Sequence, residues 1–278
     1  MTSGTSVSTA TLRLLGGTNI PIVGLGVYQS RPGATTHQAV VSALRAGYRH
    51  VDTARIYRNE ADVGKAIADS GIPRDHIFVT TKLWNDDQGE GSTLRAFDDS
   101  LARLGLDYVD LYLLHWPVAK KRLESWRALE RIAGEGRARA IGVSNFLVPH
   151  LEELLAKAQR KPDVNQIELS PFLQRRDTTA LCARTGIVVE AYSPLTRGAR
   201  LGHPVVVEIA RRLNKSPAQI LLRWGVQHGF VVLPKSTREE RIRENAALFD
   251  WTIGEADMGK LDGLEEGLTT GWDPAGQP

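Results

Sequence analysis

The sequence predicts an α/β fold, a (β/α)8 barrel of the TIM type with a short N-terminal β-hairpin, on three observations. Strand-like and helix-like segments alternate eight times with no break in composition. Several of the strands, VDLYLLHW, IVVEAY and FVVLP among them, are nearly continuous apolar runs, as strands covered on both faces require. The length of 278 residues is that of one such barrel.

Taken in order, residues 11–17 and 19–23 flank Gly16-Gly17 and read as the hairpin. The barrel opens with a strand over 21–28 and a helix over 37–46. Strand–helix pairs follow at 49–53 and 60–69, at 77–82 and 92–104, at 109–116 and 123–133, and at 138–144 and 149–158. The sixth pair is 163–169 with 178–184, and the seventh strand is 187–192. The helical pattern over 205–227 is interrupted by Ser216-Pro217, a compatible helix start, so it divides into two helices. A strand over 231–234 and a helix over 239–247 complete the series. The competing fold, an open doubly wound sheet, would carry GxGxxG after its first strand. Gly24 and Gly26 begin that pattern but residue 29 is glutamine, so those glycines read as a tight strand exit.

An apolar fraction of 42% against 24% charged describes a chain able to bury a large core without a disulfide or metal staple. The lone Cys182 excludes an intramolecular disulfide and reads as a small buried filler. The net charge of +3 is spread along the chain, and the run Lys120-Lys121-Arg122 is too short for a nucleic-acid surface and reads as a solvated loop. No apolar run approaches the ~20 residues of a membrane span. Residues 1–10 are Ser/Thr-rich and lack the features of a signal peptide. The expectation is a cytoplasmic protein with a frayed segment over 1–10 and one barrel domain over 11–278, binding neither nucleic acid nor membrane.

Catalytic sites of such barrels lie at the C-terminal ends of the strands. The stretch HVDTARIYRNE, residues 50–60, places Asp52 at a strand exit and Tyr57 one turn beyond. Lys82 closes IFVTTK, and His115 closes VDLYLLH. Each residue alone has an ordinary structural reading: a buried Asp–Lys pair, a rim tyrosine, a satisfied histidine. Together they form an acid–base device. A phenol, with a pKa of ~10, is a poor proton donor or acceptor near neutrality unless shifted. An adjacent ammonium stabilises the phenolate, and a carboxylate behind the ammonium keeps it charged and oriented. Such a set suits proton transfer to a carbonyl oxygen as a hydride reaches the carbon. No GxSxG, HExxH or CxxC competes, and the seven histidines show no metal-ligand spacing. The hydride must therefore come from an organic cofactor.

A place for one is offered by LPKSTREERIRENAALF, residues 233–249, a strand exit running into an Arg-rich helix. Helix N-terminal amides favour an anion, and Lys235, Ser236 and Arg241 add donors for a phosphate monoester. In isolation the stretch reads equally as an exposed basic helix. Tyr192 could present a flat ring to a nicotinamide, and Ser144, Asn145 and Gln166 could hold its carboxamide.

At this point the chain resembles the aldo-keto reductases, over residues 12–273. The resemblance is carried by GYRHVDTARIYRNEADVG (47–64), TTKLW (80–84), LGLDYVDLYLLHWP (104–117), GVSNF (142–146), NQIE (165–168), AYSPL (191–195), and LPKS followed by Arg241 and Glu244-Asn245. It implies a barrel that binds NADPH or NADP+ without a Rossmann domain and reduces small carbonyl compounds reversibly, as a monomer. Carried over by position, Tyr57 is the general acid, Lys82 lowers its pKa, Asp52 supports Lys82, and His115 orients the carbonyl. The implied cofactor contacts are Gly26, Val27, Ser144, Asn145, Gln166, Tyr192, Ser193, Pro194, Leu195, Lys235, Ser236, Thr237, Arg241, Glu244 and Asn245, with the 2′-phosphate on Lys235, Ser236 and Arg241. Tyr28, Trp84 and Trp116 match aromatic positions of the substrate pocket. No metal is expected. The short connection after Pro117 and the short tail LTTGWDPAGQP point to an open pocket. The alternative, a redox-sensing regulatory protein on the same fold, would carry extra N-terminal segments that this chain lacks.

Overall fold

Eight parallel strands form the sheet of the computed structural model, which describes residues 10–277. An antiparallel hairpin comes first, β1 (Thr11–Arg13) paired with β2 (Asn19–Pro21). The sheet runs in chain order through β3 (Leu25–Gly26), β4 (His50–Asp52), β5 (Phe78–Leu83), β6 (Val109–Leu114), β7 (Ala138–Ser144), β8 (Val164–Glu168), β9 (Val188–Tyr192) and β10 (Val231–Leu233). The Val23–Val232 bridge and the bonds from the Gly24 amide to the Val232 carbonyl (3.0 Å) and from the Gly26 amide to the Pro234 carbonyl (3.2 Å) join the last strand to the first. The expected barrel therefore closes.

The first strand is much shorter than the expected 21–28. Its ladder to β4 is confined to two residues, and its other pairing is the bridge to β10. A Cβ on Gly26 would stand 3.3 Å from the Leu233 carbonyl oxygen, and one on Gly24 2.7 Å from the His50 ring. Other elements agree with expectation to within a few residues. Among them, α1 (Ala34–Arg45), α2 (Glu60–Asp69), α3 (Glu90–Leu104), α4 (Arg122–Gly134), α5 (Val148–Lys157) and α6 (Arg176–Thr185) each follow a strand. The 205–227 pattern is two helices, α7 (Pro204–Leu213) and α8 (Pro217–Gln227). The Ser216 side chain accepts from the Gln219 amide and Gln219 returns the bond, a capping box with proline at the first turn. After α9 (Glu239–Ala246) comes an unexpected helix, α10 (Glu255–Asp262).

The outer faces of the strands pack on the helices in one large apolar layer. A second, smaller apolar group, Phe78, Leu111, Leu113, Ala140, Val164 and Val231, is covered by Leu14 and Ile20 of the hairpin segment. The hairpin thus plugs the N-terminal end, and the polar residues Asp52, Thr80, Lys82, Gln166 and Glu190 occupy the opposite part of the same strands. Cys182 is buried and free, its thiol raised by burial to about 11. Arg122 departs from the expected solvated loop: it forms an ion pair with Glu153. No helix among the described residues is long and apolar enough to cross a membrane. The expected frayed segment, apart from Ala10, lies outside the described residues.

Candidate active site

Parallel pairing sets Asp52 beside Gly26 and beside Thr80, so β3 and β4 end together while β5 runs on to Lys82 and Leu83. The Asp52 carbonyl accepts from the Val27 amide (3.1 Å), and the chain then turns back through a 3-10 turn, Arg55–Tyr57. Asn59 fixes that turn, accepting from the Thr53 hydroxyl at 2.7 Å and donating to the Val27 carbonyl at 3.0 Å. Arg58 takes the left-handed conformation at φ 58° to end it. This geometry brings Tyr57 over the ends of β4 and β5.

Lys82 is 0% exposed. Its Nζ donates to both Asp52 carboxylate oxygens at 2.7 Å, to the Thr53 carbonyl at 2.9 Å, and to the Tyr57 hydroxyl at 3.4 Å. A buried ammonium needs such partners, since an unpaired one would lose its proton. His115 follows β6 with its ring edge-on to Tyr57, centroids 5.7 Å apart, and to Trp84 at 5.2 Å. Burial and the Lys82 charge hold its imidazole well below the usual range, so it is neutral. The four residues expected to act together are together.

The expected direction of the Tyr57 pKa is not observed. Burial, followed by the Asp52 carboxylate, pushes the phenol well above its usual value. Burial is the main cause, and the Lys82 contacts leave little charge to offset it. The Lys82 charge is matched by a two-point bond to Asp52, while the contact to the phenol is the longest of its bonds.

The nicotinamide-binding candidates lie on neighbouring strand ends. Ser144 stands beside Gln166 in register, and its hydroxyl donates to the Gln166 carbonyl at 2.8 Å. Asn145, at φ 64°, donates to the His115 carbonyl at 3.0 Å and accepts from the Tyr192 hydroxyl at 2.8 Å. Gln166 donates from Nε2 to Asp52 at 2.8 Å and to Glu190 at 2.6 Å. Glu190 was not foreseen. A lone acid in the apolar run IVVEAY was its only signal.

Beyond Tyr192 the chain is held in an unusual loop, with Ser193, Thr196 and Arg197 all at φ near 50°. Pro194 is buried within it. Leu195 borders a cleft of about 400 Å3 together with Lys235, Ser236, Thr237, Arg241, Glu244 and Asn245. Leu195 of the first segment therefore meets the foreseen residues of the second. Leu201, Ser216, Pro217, Ala218 and Arg238 also line the cleft. Lys235, Arg238 and Arg241 form no ion pair among the described residues, whereas Arg243 pairs with Glu239 at 2.6 Å and belongs to the surface. Unpaired cations beside the Ser236 hydroxyl and a helix start are a donor set that fits a phosphate monoester. No group of three potential metal ligands lies together among the described residues.

Tyr28, 45% exposed, sets its ring 5.0 Å from Tyr57. Trp116 pairs at 6.0 Å with Trp272, which is 71% exposed and comes from the tail. The tail, expected to leave the mouth open, returns to it. Glu168 at the end of β8 accepts from the Thr270 amide at 2.8 Å, and Arg175 holds Asp273 at 2.7 Å.

The model of the aldo/keto reductase family matches residues 23–266. The chain is 48% identical over 264 residues to a glyoxal reductase of Bacillus subtilis, covering 95% of this chain and 96% of that one. An aldo/keto reductase from Brucella melitensis superposes with a TM-score of 0.90 at 47% identity, over 93% of this chain and all of the other. An aldo-keto reductase of Bombyx mori, solved in complex with NADP, superposes with a TM-score of 0.90 at 36% identity, over 95% of both chains. With the closed barrel and the meeting of Asp52, Tyr57, Lys82 and His115 at its mouth, these matches lead to one assignment: the chain belongs to the aldo/keto reductase family of oxidoreductases.

Proposed function

We propose that this protein reduces aldehydes or ketones to alcohols with NADPH, Tyr57 giving the proton to the carbonyl oxygen. The observation that carries this reading is the continuous chain from Asp52 through Lys82 to the Tyr57 hydroxyl, beside a neutral His115. NADPH, when bound, supplies the hydride.

The remaining chemistry belongs to the protein. A phenol held above its usual pKa is fully protonated at neutral pH and enters the reaction as an acid. Once its proton has moved, the phenolate is stabilised by the Lys82 ammonium, whose charge Asp52 and the Thr53 carbonyl maintain. His115, neutral, hydrogen-bonds the carbonyl without competing for its proton. Ser144, Asn145 and Gln166 hold the carboxamide, and Tyr192 lies against the ring. Gly26 and Val27, bonded to the Pro234 and Asp52 carbonyls, lie beside the nicotinamide, and Ser193, Pro194 and Leu195 lead from Tyr192 to the cleft. In the cleft, Lys235, Ser236, Thr237 and Arg241 receive the 2′-phosphate and Glu244 with Asn245 the adenine. Tyr28, Trp84, Trp116 and Trp272 bound the substrate space.

Multiple-turnover NADPH oxidation tests the reading, using nitrobenzaldehyde, small dicarbonyls such as glyoxal, keto sugars and steroids. We expect turnover with the reactive aldehyde and the dicarbonyl. Failure of every substrate with saturating NADPH would sink it.

A further inference from the structure

Glu190 is 0% exposed and stands in register with Gln166, on the neighbouring strand of the barrel wall. Its neighbours on β9, Val189 and Ala191, are buried and apolar. A carboxyl group in such a place should answer a cation, and among the described residues none is within bonding distance. Lys82 is committed to Asp52. His50 Nε2 lies 3.5 Å from Glu190 Oε1, but burial lowers its imidazole to about 3, so it is uncharged, and it bonds the Thr80 hydroxyl at 3.1 Å. Among the described residues Glu190 Oε1 has no hydrogen-bond partner. Burying a carboxyl with one oxygen unsatisfied works against stability. The one bond Glu190 makes is therefore where its contribution must be sought.

That bond comes from Gln166 Nε2, at 2.6 Å, and the same nitrogen donates to Asp52 Oδ2 at 2.8 Å. A primary amide has two N–H donors, and both are used. Reversing the amide would turn its carbonyl oxygen onto two carboxyl groups. One acceptor alone would leave the amide plane free to turn about the bond; two acceptors hold it. We infer that Glu190 is a positioning residue that, with Asp52, clamps the Gln166 amide so that its carbonyl oxygen alone is free to accept from the N–H of the nicotinamide carboxamide. The inference rests on the proposed NADPH chemistry and extends it to a residue that touches neither cofactor nor substrate. It also links the acid–base chain and the cofactor seat through one side chain, because Asp52 serves Lys82 and Gln166 together.

The test compares two nucleotides by quenching of tryptophan fluorescence: NADPH, and its 3-acetylpyridine analogue, which keeps the carbonyl but lacks the N–H donor. The unmodified protein is expected to prefer NADPH. Glu190→Leu should weaken NADPH by about three- to tenfold, the worth of one hydrogen bond, and leave the analogue unchanged, so the preference shrinks. Glu190→Gln, which keeps an acceptor in place, should retain the preference. Glu190→Ala, which only removes atoms, gives the same reading as the leucine variant should leucine not be accommodated. Arg241→Ala is the control, expected to weaken both nucleotides by one factor. A parallel loss of both in Glu190→Leu and Glu190→Ala means a merely structural role and overturns the inference, as does an unchanged ratio. An unmodified protein that binds NADPH without preferring it overturns the inference alone, while one that binds neither nucleotide overturns the proposed function and the inference with it.

Discussion

Tyr57→Phe removes one oxygen and leaves the ring packed between Tyr28 and His115. If that oxygen carries the transferred proton, kcat should fall by about 10²–10⁴ while the Kd for NADPH stays near that of the unmodified protein. Activity near that of the unmodified protein in the variant would end the assignment. The raised phenol sets a second expectation. A group with raised pKa keeps its proton to higher pH, so kcat for reduction should stay level up to about pH 10, the ordinary phenol value. A decline centred near neutrality would mean that another group supplies the proton. At the far end of the cleft, Arg241→Ala should weaken NADPH by about 1.5–3 kcal/mol, the worth of a charge-assisted bond, and weaken NADH far less. Equal losses would remove Arg241 from the 2′-phosphate. These residues were legible because their types are informative at strand ends: an acid, a phenol, a lysine and a histidine in three exits. The Tyr57 pKa was not, because its direction is set first by burial and then by the Asp52 carboxylate, which only the packed structure shows.

At the scale of elements, the packing of α2 on α3 turns on Gly64. A Cβ there would lie 1.8 Å from the Leu104 carbonyl oxygen, with backbone rather than a flexible side chain in the way. Gly64→Ala should therefore destabilise by about 1–3 kcal/mol in urea denaturation, the usual range for overpacking. Gly134, at the end of α4, has nothing within 4 Å of such a Cβ. There the alanine should instead stabilise by about 0.4–1 kcal/mol, through reduced freedom of the unfolded chain. If the two substitutions behaved alike, helix propensity rather than close approach would govern both. The contrast also marks the limit of pattern reading. Periodicity located α2 and α4, but nothing in the sequence separates the two glycines. The unforeseen α10 has a similar cause. Only Met258 and Leu261 serve its apolar side and Gly259 interrupts it, so the repeat is too weak to register. The first barrel strand was overextended because the apolar run 21–28 is longer than its two-residue ladder to β4.

For the whole molecule, the polar layer across the barrel makes stability depend on pH in two opposed ways. His50 is lowered to about 3 by burial, and His115 well below its usual value. Lowered pKa values mean that the folded state takes up protons less readily than the unfolded chain. The stability contributed by these neutral histidines is therefore present above about pH 6.5 and lost as pH falls toward 3. Glu190 acts in the other sense. Burial first, and then the Asp52 carboxylate, raise it from 4.5 to about 8, against the Gln166 bond and the Lys82 charge. Its contribution is complete below pH 4.5 and lost as pH rises through 8. From these groups the melting temperature should be highest within roughly pH 5–7 and fall on both sides. Glu190→Gln cannot ionise, so it should flatten the alkaline limb and leave the acid limb unchanged. Its Tm relative to the unmodified protein should climb steadily between pH 4.5 and 8. A difference in Tm independent of pH over that window would show that Glu190 is as fully ionised in the folded protein as in the unfolded chain. The barrel would then leave the titration of the group unchanged, and its burial would be a fixed cost of orienting Gln166 rather than one that grows with pH.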